Sequence, residues 1–166
     1  MWSPTVGQND LLQQARDLFF SGWEEDCGAE DLYDLLEDVD VGDDPLLLAY
    51  RGAATSTMAG CAFLPTGKLR YFLNGKSEIE QAVDLDPWNA EIRFLRYSVQ
   101  TNIPHFLDYD DTEEDKEIII NALKEMNVTE NNDLRRHILE YMMETADRLN
   151  DDDREILSKL LDQKDE

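Results

Sequence analysis

The stretch that decides the fold runs from residue 69 to residue 101, LRYFLNGKSEIEQAVDLDPWNAEIRFLRYSVQT, and it predicts two helices joined by a tight turn. Apolar residues recur with a period of about 3.6 as far as Val83. Pro87 then ends the first helix, because proline lacks a backbone N–H and disfavours helix at the residue before it. Asn89 opens the second helix, whose apolar residues again repeat with helical spacing. The segment is therefore predicted to form a helical hairpin.

Helical stripes of apolar residues continue on both sides of this hairpin. Asp44 followed by Pro45 predicts an N-cap and a first helical residue, which open a helix that reaches about Cys61. Small residues in the middle of that helix allow another helix to approach closely. Thr112, with Asp115 three residues on, resembles a capping box and opens a later helix. Because no segment alternates as a strand does, the expected fold class is all-α, an array of about seven to eight helices packed as antiparallel hairpins.

The charge of the chain excludes several classes of partner. Its 166 residues include 38 Asp and Glu against 15 Lys and Arg, a net charge of −23. Such a surface repels nucleic acid and anionic lipid unless a local patch runs against the average. No apolar run reaches the about 18 residues of a spanning helix, so membrane insertion is not expected. The excess of acids is open to three interpretations: salt adaptation, a partner-facing acidic surface, or a solvated exterior.

The length, the cysteines and the N-terminus of the chain bear on its domain organisation and location. The chain suits a single helical-repeat domain over residues 1–166, with residues 1–7 and 163–166 expected to fray. Cys27 and Cys61 have no metal-type spacing and leave open whether they pair. Neither a basic start nor an apolar stretch follows Met1, so the chain as it stands is expected in the cytoplasm, or in the periplasm if an upstream signal peptide was removed.

The stretch from Gly75 to Glu91 resembles the junction between two tetratricopeptide repeats. That family has small residues where Gly75 and Ala82 stand, then a proline where Pro87 stands, followed by Asn-Ala-Glu. The resemblance implies hairpins stacked around a concave groove that first helices line. The chain departs from the pattern between Gly52 and Ala82, which are 30 residues apart where the family has about 19, so an insertion lengthens this hairpin.

Four further runs resemble a group of small bacterial helical-repeat proteins, chiefly of the Bacteroidetes kind. Some members of that group look secreted into the periplasm. The resemblance implies a fold and a cell-envelope location, and it implies no reaction. The runs are Tyr50-Arg-Gly-Ala, Lys68-Leu-Arg-Tyr-Phe, Glu91-Ile-Arg-Phe-Leu-Arg96 and Val99-Gln-Thr-Asn-Ile-Pro-His-Phe-Leu107.

Motifs of known chemistry are incomplete in this chain. Gly75-Lys76-Ser77 copies the end of a phosphate-binding loop, but Arg70 stands where its first glycine belongs. The acidic run 38–43 has its glycine one place too early for a calcium loop. His105 and His137 are the only histidines, and neither belongs to a zinc motif. We therefore expect no enzymatic activity, no cofactor and no metal. A hydrolase or transferase with a cryptic helical active site, and an acidic decoy or buffering protein for cationic partners, are the alternatives.

The central third of the chain differs in charge from the rest. Residues 50–107 have a net charge of +1, and the remainder has −24. Positions 93, 96, 97 and 100 share one side of a helix and are expected on its exposed or half-exposed turns. Arginine offers planar, bidentate donors to carboxylates. The competing interpretation is that the arginines pair internally, for example with Glu91. The predicted function is a non-catalytic module that binds a protein or peptide, including one with carboxylates, and the oligomeric state stays open. The predicted groove residues are Arg51, Arg93, Arg96, Tyr97, Gln100 and Asn102.

Overall fold

The computed structural model of the protein describes residues 6–22, 27–126 and 132–163. These residues form eight α-helices and two single-turn 3₁₀ helices and contain no strand, which confirms the predicted all-α array. Residues 1–5 and 164–166 of the ends expected to fray lie outside the described part, whereas Val6 and Gly7 already belong to the first helix. The helices are α1 Val6–Gly22, α2 Glu30–Leu36, α3 Pro45–Cys61, α4 Pro65–Leu85, α5 Ala90–Asn102, α6 Thr112–Glu125, α7 Asn132–Glu144 and α8 Asp151–Asp162.

The predicted start of α3 is confirmed. The Asp44 carboxylate accepts hydrogen bonds from the backbone N–H groups of Leu46 and Leu47, at 3.0 and 3.2 Å, and Pro45 is the first helical residue. These bonds satisfy donors that the first turn of a helix leaves without an intrahelical partner. The helix therefore begins where the sequence places it.

The predicted capping box of α6 is wrong. Thr112 is already the first helical residue, and its hydroxyl lies 2.7 Å from the carboxylate of Asp110. The backbone N–H of Asp115 instead donates to the carbonyl of Asp111, at 3.1 Å. A neighbouring carboxylate thus engages the hydroxyl that the capping box requires.

Residues 1–99 and 100–166 form two compact units. The single domain predicted from the sequence stays a prediction. In the first unit, α3 and α4 pack closely where Gly52 faces Gly75. A β-carbon on Gly52 would lie 2.8 Å from the carbonyl oxygen of Gly75, and one on Gly75 would collide with Ser56 and the Gly52 carbonyl. The small residues of α3 thus allow the close helix pair that the sequence predicts.

In the second unit, α6 and α7 both contact α8. Lys116 on α6 is almost fully buried and pairs with Asp153 on α8 at 3.0 Å. Arg135 on α7 donates to the carbonyl oxygen of Leu160 on α8 at 3.3 Å. Buried cations thus join α8 to both neighbouring helices.

Cys27 and Cys61 form a disulfide, which settles the question that their spacing leaves open. Their α-carbons lie 5.4 Å apart and the residues are separated by 34 positions. The bond links the turn before α2 to the last residue of α3. It therefore encloses all of α2 and α3 in one covalent loop.

Candidate functional site

Four of the six predicted groove residues lie inside the protein. Arg93, Arg96, Tyr97 and Gln100 expose at most 4% of their surface. Every residue from 90 to 100 is buried, so α5 is covered around its whole circumference over that length. The expectation that these side chains occupy exposed or half-exposed turns is therefore wrong. Helical spacing correctly groups positions on one side of a helix, but it does not show what covers that side.

The two buried arginines of α5 have internal partners. A terminal nitrogen of Arg96 lies 3.2 Å from a carboxylate oxygen of Glu80 on α4. Arg93 donates from Nε to the carbonyl oxygen of Pro87 at 2.8 Å, across the turn between α4 and α5. Both contacts agree with the competing interpretation, in which these arginines pair within the protein.

Gln100 and Asn102 belong to the second unit. The Gln100 amide donates to the carboxylate of Asp111 at 3.3 Å. The Asn102 amide donates to the hydroxyl oxygen of Tyr141 on α7 at 2.7 Å, although Asn102 itself is exposed. The ligand-binding role assigned to the six residues as one groove stays a prediction.

Glu91 on α5 is the acceptor of a buried polar cluster in the first unit. Arg16 on α1 binds both of its carboxylate oxygens, each at 2.7 Å. The hydroxyl of Tyr50 on α3 donates to the same carboxylate at 2.7 Å. Hydrogen bonding to Glu91 raises the pKa of Arg16. Burial, together with the charge of Glu91, raises the pKa of Tyr50 well above its usual range. The cluster therefore ties α1, α3 and α5 together.

A pocket of about 710 Å³ opens between α2, α3 and α4, and we name it the Tyr71 pocket. Of the six predicted site residues, only Arg51 lines it. The remaining lining residues come mainly from α4, which contributes two rows of side chains along one face. The lining residues are Tyr33, Glu37, Arg51, Thr55, Arg70, Tyr71, Asn74, Ser77 and Glu78.

An ion pair with one free acceptor lies in the wall of the Tyr71 pocket. Arg51 donates from Nε to Oε1 of Glu78 at 2.9 Å and from a terminal nitrogen to the carbonyl oxygen of Val39, also at 2.9 Å. Oε2 of Glu78 is buried and has no hydrogen-bond partner among the described residues. Burial raises the pKa of Glu78, although Arg51 acts in the opposite direction. Because this oxygen is buried, it is not open to a ligand as the pocket stands.

Aromatic rings and a cation line another part of the same pocket. Tyr33 on α2 and Tyr71 on α4 meet edge to face, with ring centroids 5.9 Å apart. The Arg70 guanidinium carbon lies 5.9 Å from the centroid of the Tyr71 ring. Burial, and next a hydrogen bond with Glu37, raise the pKa of Tyr33. The pocket thus combines aromatic surface with donors and acceptors, as ligand sites commonly do.

The sequence contains a signal for this pocket that the charge contrast does not reveal. Arg70, Asn74 and Ser77 follow one another at i, i+4 and i+7, so they share a face of α4. Polar residues at this spacing are also typical of a solvated face. What turns the face into a pocket is the position of α2, which lies far from α4 in sequence.

Metal and membrane signals are absent from the part of the chain that the structure describes. Within residues 6–22, 27–126 and 132–163, no group of three or more His, Cys, Asp or Glu residues is placed to hold a metal ion. In the same ranges, no helix is long and apolar enough to cross a bilayer.

Comparison with protein-family models, curated proteins and solved structures finds no match for this chain. The resemblance of residues 75–91 to a tetratricopeptide junction, and that of the chain to the Bacteroidetes group, therefore stay predictions.

Proposed function

We propose that this chain is a non-catalytic module that binds a carboxylate-bearing polypeptide segment in the Tyr71 pocket. The observation that carries the proposal is the state of Arg70. Its exposed guanidinium has no carboxylate partner among the described residues, although the chain has 38 acidic side chains. A carboxylate from outside can therefore take both donors of its planar fork.

Other side chains of the pocket are also free to bind. Those of Asn74 and Ser77 make no hydrogen bond within the described ranges, so they can bind polar groups of a ligand. The rings of Tyr33 and Tyr71 offer faces for an apolar side chain. The pocket can thus hold a charge, a polar group and an apolar group together.

The composition of the pocket supports binding rather than catalysis. Its nine described lining residues include no histidine and no cysteine, so Ser77 has no imidazole among them to act as its base. The carboxylate of Glu78 is held by Arg51 at 2.9 Å. These groups suit recognition of a polar ligand.

The disulfide supports the periplasmic member of the two expected locations. Disulfides persist in oxidising compartments such as the bacterial periplasm and are rare in the cytosol. The Cys27–Cys61 bond is therefore easier to reconcile with an envelope protein.

A peptide titration followed by ¹H–¹⁵N NMR tests the proposed function. The probes are capped hexapeptides that carry one glutamate and one phenylalanine or leucine at varied spacing, with glutamine analogues as matched controls. We expect the glutamate peptides to shift the amide signals of residues 70–78 and 33–37.

The variant Arg70→Gln should weaken this binding about tenfold or more, since hydrogen bonds to charged groups contribute about 1.5–3 kcal/mol. The control is Arg136→Gln, because Arg136 on α7 is half exposed and forms surface ion pairs. Equal binding of glutamine and glutamate peptides, or no shift in the pocket, would contradict the proposal.

A further inference from the structure

Four large apolar side chains are open to solvent, two just before α4 and two in its first three turns. Phe63 exposes 95% of its surface, and Leu64, Leu69 and Leu73 each expose about half or more. Leu69 and Leu73 are four residues apart and lie on adjacent turns of one helix face. We name these four residues the α4 patch. Single exposed apolar residues are ordinary, but four within residues 63–73 make this segment a candidate interaction surface.

The α4 patch lies in the longest segment without acidic residues. Residues 45–77 contain no Asp or Glu and four basic side chains, whereas the other 133 residues have a net charge of −27. Lys68 and Arg70 are exposed on the same two turns of α4 as Leu69 and Leu73. The segment that contains the patch is therefore apolar and cationic, in a protein that is otherwise strongly anionic.

We infer that the α4 patch docks an acidic amphipathic helix of another polypeptide. The apolar face of that helix covers Phe63, Leu64, Leu69 and Leu73, and its carboxylates pair with Lys68 and Arg70. The inference rests on the proposed function, because the carboxylate bound by Arg70 then belongs to this helix. It goes further by naming the secondary structure, the charge and the apolar anchors of the partner.

The geometry of α4 allows one ligand to use both the patch and the pocket. Helical spacing places Leu69 and Leu73 beside the row of Arg70, Asn74 and Ser77 on the solvent face of α4. Leu69 and Leu73 are about 6 Å apart along the helix axis. Successive apolar turns of a partner helix have a similar spacing, and grooves that accept such helices bind anchors at i, i+3, i+4 and i+7.

Charge distinguishes this partner from two other occupants. An anionic bilayer would attract Lys68 and Arg70, but as an extended surface it would also be repelled by the remainder of the chain, which has a net charge of −27, whereas a single helix can contact α4 alone. A second copy that presented the same patch would bring the like charges of Lys68 and Arg70 together. An acidic helix meets the cations with the complementary charge and covers the apolar residues at the same time.

Fluorescence anisotropy with two synthetic helices tests the inference. The first probe is a labelled 18-residue peptide with leucines at i, i+3, i+4 and i+7 and glutamates on its other face. The second has lysine at every glutamate position. We expect the protein to bind the glutamate helix at least tenfold more tightly than the lysine helix, and this affinity should fall as salt is added.

Variants of the patch give the second arm of the test. The pair Leu69→Ser with Leu73→Ser, and separately Phe63→Ser, should weaken binding of the glutamate helix at least tenfold. These side chains are exposed, so folding should be kept. The matched control is Phe106→Ser, because Phe106 in the second unit exposes 84% of its surface. An equal loss in the control, or no loss in the patch variants, would overturn the inference.

The short glutamate peptides separate this inference from the proposed function. If they bind the Tyr71 pocket and the glutamate helix does not bind, only the helix partner is rejected. If neither binds, both proposals fail. Sedimentation with phosphatidylcholine and phosphatidylglycerol vesicles covers the lipid alternative, and analytical ultracentrifugation covers self-association. Vesicle binding or dimerisation that Phe63→Ser abolishes, without binding of the glutamate helix, would overturn the inference in favour of that occupant.

Discussion

Replacing both Cys27 and Cys61 with serine should lower the free energy of unfolding of the first unit by about 3.8 kcal/mol, because the unfolded chain regains the freedom of a loop. The two residues are 34 positions apart. For a loop of that length the chain-entropy relation gives about 12.6 cal/mol/K, which is about 3.8 kcal/mol at 25 °C. Cys27 is exposed and Cys61 is half-buried, so the serine side chains add little cavity cost.

Urea unfolding followed by circular dichroism measures this loss. The wild type is unfolded with and without a reductant, and the double serine variant is treated in the same way. Reductant should shift the wild type towards the variant and leave the variant unchanged. In the double serine variant, amide hydrogen exchange should accelerate more in α2, which has only seven residues, than in α6 of the second unit. A loss below about 1 kcal/mol would refute the loop-entropy reasoning.

Two further variants test the packing of the first unit. Gly75→Ala should lower the free energy of unfolding by about 1–3 kcal/mol, because the new methyl group meets the backbone of α3. Gly60→Ala, where the new methyl group has open space, should be neutral or stabilising. Equal urea midpoints for the two variants would contradict this prediction. Tyr50→Phe should cost about 1.5–3 kcal/mol at pH 7, because it removes the hydrogen bond to Glu91. Since the pKa of Tyr50 is raised above 10.0 in the folded state, wild-type stability is complete below that pH and falls as the pH rises towards the folded pKa. Tyr50→Phe should therefore lose less stability than the wild type as the pH rises above 10. If the free energy of unfolding falls equally with pH in both proteins, the raised pKa of Tyr50 is contradicted.

Helix boundaries were the most predictable part of the fold, because the residues that set them act locally. The turn at Pro87 and the cap at Asp44 each depend on the backbone chemistry of a few neighbouring residues. The predicted capping of α6 is nevertheless wrong, because the hydroxyl of Thr112 bonds to the carboxylate of Asp110. Local competition between capping groups is a matter of geometry that the spacing does not contain.

The predicted groove residues on the buried part of α5 are not exposed, because residues far away in the sequence decide which side chains are buried. Glu91 finds Arg16, 75 positions earlier in the chain, and Arg96 finds Glu80. The spacing of α5 is the same whether the helix lines a groove or fills an interior. Among the predicted residues, Arg51 lines the Tyr71 pocket, and that pocket exists only where α2 packs beside α3 and α4.

The total charge of −23 excludes anionic partners only for a surface on which the charge is evenly spread. Several basic residues form ion pairs within the protein. Arg16 and Arg96, for example, each pair with a glutamate. Those cations cannot meet a partner, whereas Lys68 and Arg70 are exposed in a segment that has no acid of its own. An acidic helix that approaches any other acidic face is repelled, and one that approaches α4 is attracted. The anionic remainder of the surface therefore steers such a partner towards the α4 patch. Added salt weakens both the attraction and the repulsion, so it should reduce the preference of the acidic helix for this patch over other faces.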